Sequence, residues 1–268
     1  MSPQLADYPR FAWQLLRGDR AAWERSNAEG RERDIAPYLD TSRRLRVLDL
    51  GNGRLRPQYA ILRAQGHEVY GVDLANRPLG SWKDVAYRLA RPIYASRLGA
   101  PLGSGAGGTL LCGDVGRLPL PDESFDLVTS VAAFEHFLDV PAVLAELARI
   151  LRPGGVVWAM IHLFTSPSGG HNLSFTELPL RSVPEGVDAW DHLRKRRLPF
   201  TVPLNEWRAH QYREAFMRHF ELLSEYCWGR EGELLLTPEI EAELAGYSRD
   251  ELTCATLVMV ARKPAGEL

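Results

Sequence analysis

VLDLGNG, residues 47–53, is a short apolar run that ends in a glycine turn. Residues 45–50 (LRVLDL) read as a buried strand that delivers its chain into Gly51-Asn52-Gly53. Working downstream, residues 57–65 predict a helix, with Pro57 in its first turn and Gly66 just past its end. Residues 68–74 (EVYGVDL) predict a second strand. A helix over 82–98, strands over 109–112 and 125–130, a helix over 140–151 and a strand over 156–161 follow in turn. Apolar strands alternating with helical stretches imply an α/β fold, a parallel sheet covered on both faces.

Upstream, residues 1–40 read as helical and amphipathic, with Phe11, Leu15 and Leu16 at helical spacing and Trp23, Ile35 and Leu39 beyond. The segment 99–108, rich in Gly, Pro and Ser, predicts a flexible connection. Past Ile161 the alternation breaks for about forty residues and resumes with a helix over 206–219 and strands over 220–226 and 253–261, separated by an excursion. The expected organisation is a helical cap over 1–44, a ligand-binding core over 45–161 and a substrate-covering insertion over 162–204. Residues 205–268 complete the sheet and carry a short insertion of their own.

The chain has 268 residues, 45% hydrophobic and 25% charged, an ordinary globular composition. A net charge of −2 carries no electrostatic footprint of a nucleic-acid binder. Three scattered cysteines, with no CxxC and no HExxH, predict neither a disulfide framework nor a metal site. The N-terminus lacks a signal-peptide pattern, and no apolar run approaches the ~20 residues that span a bilayer. A soluble cytoplasmic protein, acting on neither nucleic acid nor membrane, is the expectation.

The chemistry gathers where the strands end. In an open parallel sheet ligands sit at the carboxyl edge, and a glycine turn there lets them approach the backbone. Asp73, twenty residues after the turn, ends the second strand, where a carboxylate can accept both hydroxyls of a ribose. Asp114 ends the third, placed to receive the exocyclic amine of an adenine. Together they describe a nucleoside pocket. The turn reads GNGRLR rather than GxGxxG, which argues against a pyrophosphate and places a nicotinamide oxidoreductase last among the readings. Asp49 puts an acid where a phosphate would go, and suits an ammonium group instead.

VLDLGNG, the acid of GVDL, GDVGRLPLPDESFDLVTSVAAFEHF and the later LRPGG resemble the class I S-adenosylmethionine-dependent methyltransferases over roughly residues 45–161. The resemblance implies a Rossmann-like, seven-stranded sheet whose last strand is antiparallel and inserted between the fifth and sixth. It implies S-adenosylmethionine as cofactor, with S-adenosylhomocysteine as product. The family's glycine loop falls on Gly51, Asn52 and Gly53, with Asp49 before it. Its ribose acid falls on Asp73 beside Leu74, its adenine contacts on Asp114 and Val115, and the residue after its fourth strand on Ser130. Similar EH pairs place His136 on the cofactor side. Cys is frequent at the Asn52 position and a further glycine near Leu55; both are absent here.

A sulfonium methyl is already electrophilic, so such an enzyme chiefly aligns a nucleophile. A hydroxyl nucleophile also needs its proton removed. His162, directly after the fifth strand, and His171, in SPSGGHN, are the candidate bases; each also reads as a plain loop histidine. Residues 164–172 have the composition of a mobile surface loop that closes over an acceptor. The run Arg194-Lys195-Arg196-Arg197 suits a phosphorylated substrate or, more commonly, a solvated helix face. Tyr8, Phe11, Trp13 and Trp23 either roof the pocket or dock the cap helix.

The expected function is methyl transfer to a small-molecule acceptor, foremost to oxygen on a sugar or specialised metabolite. N-methylation is the runner-up. A cofactor-binding relative that catalyses a cyclisation or rearrangement, or serves as a scaffold, is the alternative from another class.

Overall fold

The computed structural model describes residues 18–100, 108–171, 182–183 and 185–265. Seven strands form one sheet in the order β3-β2-β1-β4-β5-β7-β6. They are β1 (Arg46–Leu50), β2 (Glu68–Val72), β3 (Gly108–Leu111), β4 (Phe125–Val131), β5 (Leu151–His162), β6 (Glu221–Arg230) and β7 (Cys254–Arg262). β1 to β5 pair in parallel, while β7 runs antiparallel to both β5 and β6. The fold expected from the alternation and from the resemblance is therefore the observed one.

Eight helices accompany the sheet among the described residues: α1 (Asp19–Ile35), α2 (Pro57–Ala64), α3 (Trp82–Arg97), α4 (Val140–Ile150), α5 (Asp191–Arg194), α6 (Ala209–Met217), α7 (Pro238–Glu243) and α8 (Arg249–Thr253). α4 forms as its sequence dictates. Asp139 caps it by accepting the Ala142 amide at 3.0 Å, and Val140, Val143, Leu144, Leu147 and Ile150 bury one stripe against the sheet.

Two elements differ from their reading. β5 begins at Leu151, five residues early, because Leu151 pairs with Phe125 before a bulge that absorbs the turn at Pro153-Gly154. Helix α1 is not amphipathic in the ordinary sense. Its inward face carries Glu24, Asn27 and Arg31 beside Ala21, Ala28 and Ile35. Arg31 is wholly enclosed, donating to Gln58 at 2.7 Å and to Glu32 at 3.1 Å, while Gln58 donates to Glu24 at 3.0 Å. Asp34 ties α1 to the sheet, accepting the Trp158 indole N–H at 3.0 Å and the Tyr226 hydroxyl at 2.5 Å. Trp23, expected to roof the pocket or dock the cap, is exposed. Tyr8, Phe11, Trp13, Leu15 and Leu16 lie outside the described residues, as do 101–107 of the predicted connection.

The stretch read as a mobile surface loop is the opposite. Leu163 to Gly170 is buried throughout, with Thr165 and Ser166 fully enclosed. The His192 ring meets the Phe164 carbonyl at 2.7 Å, and the Trp190 indole donates to the Thr165 carbonyl at 3.1 Å. Small residues there serve close packing: a Cβ on Gly169 would stand 2.3 Å from the Leu163 carbonyl oxygen. Asn172, the end of that stretch, lies outside the described residues.

Candidate active site

The carboxyl ends of β1 to β5 line up along one edge, and the residues singled out in the sequence collect there. Gly51 has φ +73°, and a Cβ on it would lie 2.3 Å from that of Ala133, so the turn after β1 accepts only glycine at that position. Gly53, at φ +63°, faces open space, since a Cβ there would meet nothing within 4 Å. Its amide donates to Asp73 at 2.6 Å, and the other Asp73 oxygen accepts the Ala75 amide at 2.6 Å. One carboxylate thus holds together the turns that follow β1 and β2.

Asn52 is buried and exchanges side-chain hydrogen bonds with Asn76, whose amide also donates to the Leu111 carbonyl at 2.7 Å. Asn76 therefore binds the ends of three strands into one unit. Sequence reading missed it, because an Asn in a turn carries no signal of a contact 35 residues away. Leu74 is 72% exposed beside Asp73, an apolar side chain left uncovered. Asp114 lies at the surface, accepting the Gly116 amide at 2.9 Å, while Val115 packs partly into the core.

Asp49 is almost fully buried beneath the turn, and one carboxylate oxygen has no hydrogen-bond partner among the described residues. Burial pushes its pKa up to about 7, against the opposing pull of Arg31. An unsatisfied buried acid of this kind fits a ligand that brings a positive charge.

Ser130 does not follow β4. The strand runs on to Val131, which pairs with Met160, so Ser130 is enclosed within it and donates to the Leu50 carbonyl at 3.0 Å. The residue after β4 is Ala132, exposed and left-handed at φ +49°. The basic run is not an anion site either: Arg194 pairs with Glu243, Lys195 and Arg197 with Asp188, and Arg196 with Glu206.

The three histidines come together. The His171 ring lies 4.8 Å from that of His162 and 4.9 Å, edge-on, from that of His136. His136, expected on the cofactor side, stands beside His171, its Nδ1 on the Pro203 carbonyl at 3.0 Å. His162 is held from behind. Its Nε2 meets the Ser168 hydroxyl at 2.7 Å, and that hydroxyl donates to Glu231, which also accepts the Ser168 amide. Ser168 has spent its only proton on Glu231, so His162 carries its own on Nε2 and presents Nδ1 as a lone pair. Burial lowers the His162 pKa, opposed by Glu231, and lowers that of His171 to about 2, with help from the neighbouring rings.

Glu135, which sequence reading passed over, completes the group. It is buried with neither carboxylate oxygen hydrogen-bonded among the described residues, and desolvation pushes it up to about 8. The EH pair is visible in the chain, but its inward carboxylate is a product of the one-turn 3₁₀ helix Phe134–His136.

Sheet order, glycine turn and acid-tipped strands are those of the class I S-adenosylmethionine-dependent methyltransferase fold. Residues 48–159 match the family model of the methyltransferase domain. Malonyl-[acyl-carrier protein] O-methyltransferase of Halorhodospira halophila is 36% identical over 113 residues, covering 42% of this chain and 33% of that protein. The 27-O-demethylrifamycin SV methyltransferase of Amycolatopsis mediterranei is 29% identical over 169 residues, covering 62% and 51%. The matched stretches span a third to a half of the length of these two relatives. A solved S-adenosylmethionine-dependent methyltransferase from Mesorhizobium loti shares the fold at a TM-score of 0.52 and 22% identity, covering 85% of this chain and 95% of that one. Among the described residues no helix is long and apolar enough to cross a membrane.

Proposed function

We propose that the chain transfers the methyl group of S-adenosylmethionine to a hydroxyl oxygen of a small molecule, a sugar or a specialised metabolite. The observation that carries this reading is the juxtaposition along one sheet edge. The turns that follow β1 and β2, tied together by Asp73, lie along the same sheet edge as the histidine cluster at the ends of β4 and β5. The first relative's name specifies an oxygen acceptor, in keeping with it.

The cofactor supplies an electrophilic methyl. In this reading Gly51 and Gly53 admit it to the backbone, Asp73 and Leu74 receive the ribose, and Asp114 and Val115 receive the adenine. Asp49 faces the ammonium. Residues 162–204 enclose the acceptor and exclude water. The acceptor oxygen forms a bond to the methyl carbon as the carbon–sulfur bond breaks with its electron pair kept on sulfur. The hydroxyl proton passes to the histidine cluster, with His162 as the residue on which its removal turns and His171 beside it.

Incubation with ¹³C-methyl-labelled cofactor and a panel of hydroxylated acceptors tests the reading. S-adenosylhomocysteine and a product whose labelled methyl sits on oxygen are expected. Label on nitrogen or carbon overturns the oxygen assignment, and failure to bind S-adenosylhomocysteine overturns the whole.

Asp73→Ala removes both the ribose acceptor and the tie between the two turns. Binding of S-adenosylhomocysteine should weaken by about 1.5–3 kcal/mol, the range for hydrogen bonds to a charged group. Calorimetric titration reads it directly, and an unchanged affinity would count against the nucleoside pocket.

Asp49 makes the affinity pH-dependent. In the empty pocket it is largely protonated below its pKa of about 7. A bound ammonium favours the carboxylate, so binding below pH 7 releases a proton. Affinity for S-adenosylhomocysteine should therefore rise with pH, by up to about tenfold per unit, and level off above 7. Titrations in two buffers of different ionisation enthalpy count the proton. No release near pH 6 would separate Asp49 from the ammonium.

A further inference from the structure

We propose that Glu135, His162 and His171 form a binding site for one divalent transition-metal ion at the acceptor end of the cleft. One donor atom from each of the three lies within 4.8 Å of the others. Four ligands around a zinc-sized ion at ~2.1 Å stand about 3.4 Å apart, so a contraction of at most about 1.4 Å closes the set. Rotation of the Glu135 carboxyl and the His171 ring supplies it.

Three independent features point the cluster at a cation. The Glu135 carboxylate is 1% exposed, and although the Glu135 and His162 backbone amides lie near it, neither oxygen makes a well-formed hydrogen bond among the described residues. A buried acid left in that state is costly, and a cation is one of the few partners that relieves it. His171 likewise has a buried, unpartnered Nε2. Its backbone is held left-handed at φ +50°, with its amide on Ser168 at 3.0 Å and its carbonyl accepting from Thr201 at 2.9 Å. His162 offers Nδ1 as a lone pair because Ser168 and Glu231 hold the proton on Nε2. A metal-ligating histidine characteristically has its second nitrogen fixed by such a hydrogen-bond chain ending in a carboxylate.

Two imidazoles and one carboxylate suit zinc, iron, cobalt or nickel rather than magnesium or calcium, and they leave coordination positions open. His136 stands beside this set, with Nδ1 committed to Pro203. The ion's role, though not its binding, rests on the methyl-transfer reading. An acceptor hydroxyl entering an open position is made more acidic by the ion's charge. The proton so released passes to His136, whose Nδ1 alone is committed to Pro203, and His162 acts through the ion rather than as a free base.

The test uses tag-free full-length protein, stripped with a chelator and dialysed. Titration with cobalt(II), followed by its visible absorption, and with zinc, followed by plasma mass spectrometry, should each reach one equivalent. Glu135→Gln and His171→Ala should weaken metal binding by more than the roughly 10–100-fold that loss of an outer partner costs, and Ser168→Ala should fall within that range. Circular dichroism and retained S-adenosylhomocysteine affinity establish that each variant is folded. Absence of stoichiometric binding, or variants that bind as the parent does, would overturn the site. Methyl transfer at full rate by stripped protein would overturn the ion's role while leaving the methyl-transfer reading in place. A bound metal with no methyl transfer would uphold the site and count against that reading.

Discussion

His162→Ala should slow the methyl-transfer step by about 10²–10⁴-fold, or roughly 2.7–5.5 kcal/mol, while cofactor affinity stays nearly intact. The size follows from what the residue controls. His162 ends β5, a central strand whose pairing with both β4 and β7 leaves its backbone little freedom. A strand end positions a side chain more firmly than a loop does. The Ser168–Glu231 chain then holds the ring by Nε2 and sets its tautomer. The turns proposed to hold the cofactor follow β1 to β3, strands that do not pair with β5. Single-turnover rates beside cofactor dissociation constants make the measurement. Near-normal turnover would mean that the reaction proceeds by alignment alone. A matching loss of cofactor affinity would place His162 in the wrong half of the site.

Trp190→Ala should destabilise the protein by about 3–5 kcal/mol, the usual cost of deleting a fully enclosed tryptophan. Trp190 is the centre of a small second core with Leu236, Leu244 and Leu252, formed by the two segments that interrupt the sheet. Its indole N–H is shared between the Thr165 carbonyl at 3.1 Å and the Leu252 carbonyl at 3.3 Å. Truncation therefore leaves a cavity and two buried carbonyls short of a donor. Its ring also backs Gly232, next to the Glu231 that holds Ser168. The variant should show a lower denaturation midpoint, read by urea unfolding, and a disordered grip on His162 that slows turnover beyond the loss of folded protein. A change below about 1 kcal/mol would mean that the insertion closes up around the gap.

The glycine turn, the acids at the ends of β1, β2 and β3 and the alternation of strands and helices were legible in the chain, because each depends on neighbours a few residues away. Local periodicity sets the elements, and the parallel arrangement follows from the helical crossovers between them. The resemblance supplied what local pattern does not reach, the antiparallel β7 between β5 and β6. What the chain alone misjudged has a common physical cause. SPSGG has the composition of an exposed loop, yet its small side chains are what allow it to pack against Trp190 and His192. The buried face of α1 reads as polar, because Arg31, Glu24 and Gln58 satisfy one another across two helices. Four basic residues in a row suggest an anion, until Asp188, Glu206 and Glu243 pair with all four. The same holds at the acceptor end. Glu135, His136, His162, His171 and Glu231 lie up to 96 positions apart, with no ligand spacing to mark them. Sequence by itself determined the sheet and the glycine turn at its carboxyl edge, whose interactions are local or periodic. Only the tertiary structure decided which buried polar atoms meet, because that depends on which strand ends the sheet order makes neighbours.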